Sequence, residues 1–173
     1  MSVEPCGMVG TVLKEKKAHL CALAGGAHGG AFSEPGIRIL GLPLIPGAER
    51  DLLQFSKDAF KDLGPFEVLL TAPYFNPKRG IIGVDCVLDE SSEYRLKSLK
   101  RNLLRRFPEA HRYIRLKDGF QIILVKNLFN DMFDYLKSGF SWNKELVFTA
   151  NEVAISRQVL DSEHRKWKTI KLV

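Results

Sequence analysis

The chain has 173 residues, a formal net charge of +6, an apolar fraction of 45% and a charged fraction of 27%. These proportions exclude a fibrous or wholly disordered chain and suit one globular domain, or two small lobes sharing a core. No apolar run approaches the ~20 residues that span a bilayer, and the start, Met1-Ser2-Val3-Glu4-Pro5, lacks the charged and apolar regions of a secretory signal, so no membrane partner is expected.

Residues 1–10 carry no firm pattern. Thr11 to Leu23 suits an extended segment, with Thr11-Val12-Leu13 and Ala18-Leu20-Ala22 flanking the charged Lys14-Glu15-Lys16-Lys17. The stretch Gly25-Gly26-Ala27-His28-Gly29-Gly30 is flexible by composition and matches no phosphate-binding glycine motif. Residues 1–35 therefore read as an N-terminal strand with a flexible glycine-rich segment, and residues 36–173 as the main domain. There, Ile37-Arg38-Ile39-Leu40-Gly41-Leu42 is a short strand stopped by Pro43 and Pro46. Ala48 to Leu63 has helical spacing in Leu52, Leu53, Phe55, Ala59, Phe60 and Leu63, and Gly64-Pro65 ends it. Phe66–Thr71 and Gly80–Leu88 are strands, with a loop over Ala72–Arg79. A helix over Ser91–Phe107, capped by Ser91 or Ser92, buries Leu96, Leu99, Leu103 and Phe107. Arg112–Arg115 is a short strand, Phe120–Val125 a strong one, and Leu128–Leu136 a short helix. Leu146–Ser156 and Lys166–Val173 close the chain as two more strands. Strands and helices alternate in groups, which argues for an α+β fold over a doubly wound parallel sheet.

The three cysteines, Cys6, Cys21 and Cys86, are widely spaced and form neither a C-x-x-C pair nor a disulfide framework. Cys21 and Cys86 lie in apolar runs and read as buried small hydrophobes. A cytoplasmic or other reducing intracellular compartment is expected. His19 and Cys21 supply too few donors for a metal site, so neither metal nor cofactor is expected.

The order of elements from Ile37 to Val173 resembles the 2H phosphoesterase superfamily, also called LigT-like or 2′-5′ RNA ligase-like. The resemblance lies in Ile37-Arg38-Ile39-Leu40-Gly41 followed by a linker and helix, in Gly119-Phe120-Gln121-Ile122-Ile123-Leu124-Val125-Lys126, and in the closing pair Val153-Ala154-Ile155-Ser156 and Arg165–Val173. It implies a two-lobed fold, with antiparallel sheets around a central cleft and helices outside. Each lobe of that family carries an H-x-[ST] motif on a strand. Here the resemblance puts Arg38 and Gln121 where the histidines belong, and Leu40 and Ile123 where the hydroxyls belong. The family chemistry needs one imidazole as base and another as acid. Arginine stays cationic and glutamine does not titrate. The four histidines, His19, His28, His111 and His164, stand outside any H-x-[ST] sequence. No catalytic residue is therefore assigned, and a pseudoenzyme is expected.

Cations crowd the stretch from Arg95 to Lys117, and on the second helix the leucine stripe should leave them all outside the buried face. Arg112-Tyr113-Ile114-Arg115 interleaves cation and aromatic, as single-stranded nucleic acid recognition requires. An anion or RNA surface is expected from Arg38, Gln121, Arg105, Arg106, Arg112, Tyr113, Arg115 and Lys117. The opposing reading is a solvated helix face, with Arg38 paired to a buried carboxylate such as Asp85. The expected function is RNA binding, or a role within a ribonucleoprotein. The alternatives are a protein-interaction or assembly subunit, with an apolar patch around Phe129, Phe133, Phe140 and Trp142, and an active 2′,3′-cyclic or 2′,5′-phosphodiesterase.

Overall fold

The computed structural model describes residues 2–5, 7–25, 35–38, 49–61, 63–108, 119–143, 145–159 and 163–172. In chain order they form β1 (Ser2–Val3), α1 (Gly7–Leu23), β2 (Ile37–Arg38), α2 (Glu49–Lys61), β3 (Phe66–Asn76), β4 (Ile81–Leu88), α3 (Glu90–Arg106), β5 (Phe120–Val125), α4 (Asn130–Gly139), β6 (Leu146–Ala150), β7 (Glu152–Val159) and β8 (Glu163–Lys171). The strands make one curled sheet of eight, ordered β6-β3-β4-β5-β2-β1-β7-β8. Every neighbouring pair is antiparallel. With four helices among the described residues, the fold is α+β, as the grouping of elements predicts.

One expectation is overturned at the N-terminus. Thr11–Leu23 is not extended but belongs to helix α1, and the only strand before it among the described residues is the two-residue β1. The residues that decide are Val9, Leu13, Lys17, Leu20 and Ala24, all buried and spaced by three or four. Lys17 interrupts that stripe with a charge, which hides it from a reading by hydropathy. The alternating Ala18 and Ala22 are exposed.

Several boundaries also differ: α4 runs over Asn130–Gly139 where Leu128–Leu136 is expected, and β8 over Glu163–Lys171 where Lys166–Val173 is expected. Strand β3 runs through the expected loop as far as Asn76, although Pro73 cannot donate to a ladder. Beyond Leu70, however, β3 pairs only with β4, because β6 covers Phe66–Leu70 alone. The proline therefore lies on an edge, beside a bulge, where its missing N–H is tolerated. A 3₁₀ turn, Pro77–Arg79, then leads to Gly80 in the left-handed region and into β4. The expected strand Leu146–Ser156 is two strands, parted at Asn151, whose carbonyl accepts a hydrogen bond from the Leu172 amide at 2.8 Å.

Helix α3 begins one residue earlier than expected, and its cap is Asp89, not Ser91 or Ser92. The Asp89 carboxylate accepts from the Ser92 amide at 2.9 Å. Hydrogen bonds from the Ser92 side chain and backbone hold this carboxyl below its ordinary range. The stripe Leu96, Leu99, Leu103 and Phe107 is buried as expected. Lys100 joins it: only 5% exposed, its Nζ lies 4.5 Å from the centre of the Phe120 ring. The cations of α3 thus do not all lie outside the buried face.

Strands β3, β4, β5 and β6 have two unlike faces. Phe66, Val68 and Leu70, with Val84, Cys86, Leu88, Phe120, Ile122, Leu124 and Phe148, are buried in a common core. The alternate residues, Glu67, Leu69, Thr71, Asp85, Val87, Gln121, Ile123, Val147 and Thr149, are partly or fully exposed. This period-two pattern leaves one face of the sheet open. Aromatic edge-to-face contacts tie the helices to the covered face and to each other: Phe55 of α2 meets Phe107 at 6.1 Å, and Phe75 of β3 meets Phe133 of α4 at 6.4 Å.

Candidate functional site on the open sheet face

The open face is organised by register. Asp85 on β4 pairs with Gln121 on β5. Ile37 on β2 pairs with Ile122 on β5, so position 38 follows opposite Gln121. Arg38 pairs in turn with Ser2 on β1. Asp85, Gln121, Arg38 and Ser2 therefore occupy one row across four adjacent strands. Asp85 and Gln121 are both partly buried.

The row starts at a fault in the ladder. On β3 the pairing with β4 shifts between Leu70 and Pro73, so Thr71 and Ala72 together oppose Asp85. A bulge of this kind re-aims side chains and recurs beside functional sites. A second irregularity separates Ile82 from Gly83 along β5. At Gly83 a Cβ would run into the Ile122 carbonyl of β5, so this close approach of β4 and β5 requires glycine.

The row holds an amide and a carboxylate at its described side chains, not a pair of imidazoles. Gln121 offers one acceptor and two donors and does not change charge with pH. Asp85 adds an acceptor, but no imidazole from the described residues joins it. His19 is exposed on α1. It precedes Cys21 by two residues on that helix, so the two do not face one another. Cys21 itself is partly buried, not fully as expected, whereas Cys86 is buried. Burial pushes the Cys86 thiol up to about 12, with a smaller push from the Asp85 charge, so this thiol next to the row is not a nucleophile at neutral pH. Among the described residues no cluster of His, Cys, Asp and Glu could hold a metal ion.

Positions 38 and 121 are thus brought together. Arg105 and Arg106 are not: they are exposed in the last turn of α3, which packs through Leu96, Leu99 and Leu103 into the core. Arg112, Tyr113, Arg115 and Lys117 lie outside the described residues. Asp85, the carboxylate that the opposing reading pairs with Arg38, is partly buried and lies in the same row. Gln121 stands between, leaving two strand spacings, roughly 10 Å, from backbone to backbone.

The other α3 cations are largely engaged within the protein. Arg95 donates to the Leu63 carbonyl at 3.1 Å, Lys97 pairs with Glu93, and Arg101 lies over the Tyr94 ring at 5.9 Å. The apolar patch expected around Phe129, Phe133, Phe140 and Trp142 is also corrected. Phe133, Phe140 and Trp142 are buried, and only Phe129 is exposed. An exposed apolar row runs instead across the open face, through Val87, Leu69 and Val147. It escapes the sequence because it is assembled from three strands. Among the described residues no helix is long and apolar enough to cross a membrane. No protein-family model matches the chain, and no curated protein matches it either.

Proposed function

We propose that this protein is a degenerate, non-catalytic relative of the 2H phosphoesterases that binds single-stranded RNA. The supporting observation is the register that sets Arg38 opposite Gln121 on neighbouring central strands, the two positions at which the resemblance expects catalytic imidazoles. A facing pair is what the family architecture requires, and an arginine and a glutamine are what proton transfer cannot use. The division of the sheet into β6-β3-β4-β5 and β2-β1-β7-β8 about this junction is in keeping with two lobes. The net charge of +6 and the exposed Arg105 and Arg106 favour a polyanion. The segment from Arg112 to Lys117 extends that basic surface in sequence. The test is to incubate the protein with a 2′,3′-cyclic nucleotide and, separately, with a labelled single-stranded RNA. Binding without turnover is expected, and turnover overturns the non-catalytic reading.

A second reading, a protein-interaction subunit, is favoured by the exposed row Val87, Leu69 and Val147. It predicts that Val87→Ser with Val147→Ser, which removes the apolar row without adding charge, disrupts an assembly seen by size-exclusion chromatography.

A further inference from the structure

A cavity of about 540 Å³ opens at the far end of β4 and β5, where the turn Pro77–Gly80 meets the segment Lys126–Asn130. Its size falls within the range of ligand pockets, roughly 300–1,000 Å³. Three cations line it, Lys78, Arg79 and Lys126, and no carboxylate does; the nearest in sequence is Asp131, one residue beyond the lining. None of the three cations has a hydrogen-bond or ion-pair partner among the described residues, in contrast to Arg95, Lys97 and Arg101. Three like charges gathered at one hollow repel one another unless an anion joins them.

The hollow is held in shape by backbone. The Leu128 amide donates to the Gly80 carbonyl at 3.1 Å, and a Cβ at Gly80 would run into the Leu128 backbone. Gly80 also has φ +54°, a conformation that disfavours any side chain. The two turns are therefore fixed against each other before any ligand arrives. Phe129 stands in the wall with 71% of its surface exposed, a flat apolar ring beside the charged floor. The first turn of α4 adds a dipole of the same sign, but the cations carry the site.

We propose that this cavity binds a nucleoside monophosphate unit, with its phosphate against Lys78, Arg79 and Lys126 and its base against Phe129. Charge-assisted contacts hold the phosphate, and base–aromatic stacking holds the base. Lys126 lies just past the end of β5, five residues on from Gln121, roughly 17 Å at strand rise, so this site is separate from the open-face row. It does not depend on the RNA reading. A free nucleotide and the terminal nucleotide of an RNA strand share this chemistry.

The test is calorimetric titration with AMP, inorganic phosphate and adenosine, followed by RNA oligonucleotides with and without a 5′-phosphate. AMP should bind more tightly than phosphate, and adenosine should bind least. Arg79→Ala or Lys126→Ala, each removing a charged group from the hollow, should weaken AMP binding at least about tenfold. Phe129→Ala should bring AMP down to the level of phosphate, while Arg105→Ala with Arg106→Ala leaves AMP binding unchanged. Tighter binding of the 5′-phosphorylated than of the unphosphorylated RNA, lost in Arg79→Ala, identifies a strand end as the ligand; equal binding of the two RNAs identifies a free nucleotide. Absence of AMP binding, or AMP affinity unmoved by Arg79→Ala and Lys126→Ala, overturns the proposal. Phosphate binding as tightly as AMP overturns the nucleotide assignment.

Discussion

Ile37 of β2 is paired with Ile122 of β5, and this pairing joins the two sets of four strands into one sheet. Ile37 is 1% exposed and Ile122 is fully buried. Removing the Ile122 side chain should therefore loosen both halves together. Ile122→Ala is expected to cost about 2–5 kcal/mol, read from urea denaturation, with a single transition for tryptophan fluorescence and far-ultraviolet circular dichroism. Two separated transitions in the parent protein would show that the halves fold independently.

The cations of α3 should fall into two groups. Arg105→Ala and Arg106→Ala should each make the salt dependence of RNA binding shallower, by about 0.7 in slope for each phosphate no longer neutralised. Lys100→Met should leave that slope unchanged, because Lys100 is buried over Phe120. Binding isotherms at several salt concentrations distinguish the groups, and equal effects from all three changes would contradict the assignment.

Asp89 gives a prediction with a definite sign. Its folded carboxyl lies below its ordinary value through hydrogen bonds with Ser92. The ionised form is thus favoured in the folded state, so its contribution is present above the unfolded pKa and is lost as pH falls through the folded one. Asp89→Ala should lower Tm at pH 7, and the gap from the parent protein should close as the pH falls below 3.8, the ordinary carboxyl value. A gap that persists at the lowest pH would mean that the charged cap is not the source of the effect.

Cys86 should be inert in the native protein. Burial raises its thiol pKa to about 12, and its Sγ donates to the Val84 carbonyl at 3.7 Å. Alkylation at pH 8 followed by peptide mapping should leave Cys86 unmodified until denaturant is added, while the partly exposed Cys21 reacts earlier. Prompt labelling of Cys86 would require the β4–β5 region to open readily.

Gly83 tests the close approach of β4 and β5. Gly83→Ala forces a Cβ against the Ile122 carbonyl, and overpacking of this kind costs about 1–3 kcal/mol. Thermal unfolding should show a clear fall in Tm, and an unchanged Tm would mean that the two strands can part without penalty.

The strands β3, β4 and β5 as elements and the leucine stripe of α3 are legible in the sequence, because apolar runs and helical spacing mark them. Which face of the sheet is open is not legible, because Leu69, Val87 and Ile123 on that face are as apolar as their buried neighbours. Nor is helix α1, because Lys17 sits within its buried stripe and Ala18 and Ala22 mimic a strand's alternation. Lys100 escapes a hydropathy reading for the same reason: its aliphatic stem and an aromatic partner let a cation enter the core. The adjacency of positions 38 and 121 is not legible, since strand order cannot be read from one chain. The basic hollow at Lys78, Arg79 and Lys126 is invisible in the sequence because 47 positions separate Arg79 from Lys126.

The most direct measurement is fluorescence anisotropy of a labelled single-stranded RNA with the parent protein and with Arg38→Ala, at roughly 50 and 200 mM salt. Binding is expected at the lower salt and weakens steeply at the higher, with a further loss in Arg38→Ala. Absence of binding at the lower salt, or binding indifferent to both salt and Arg38, would contradict the RNA reading.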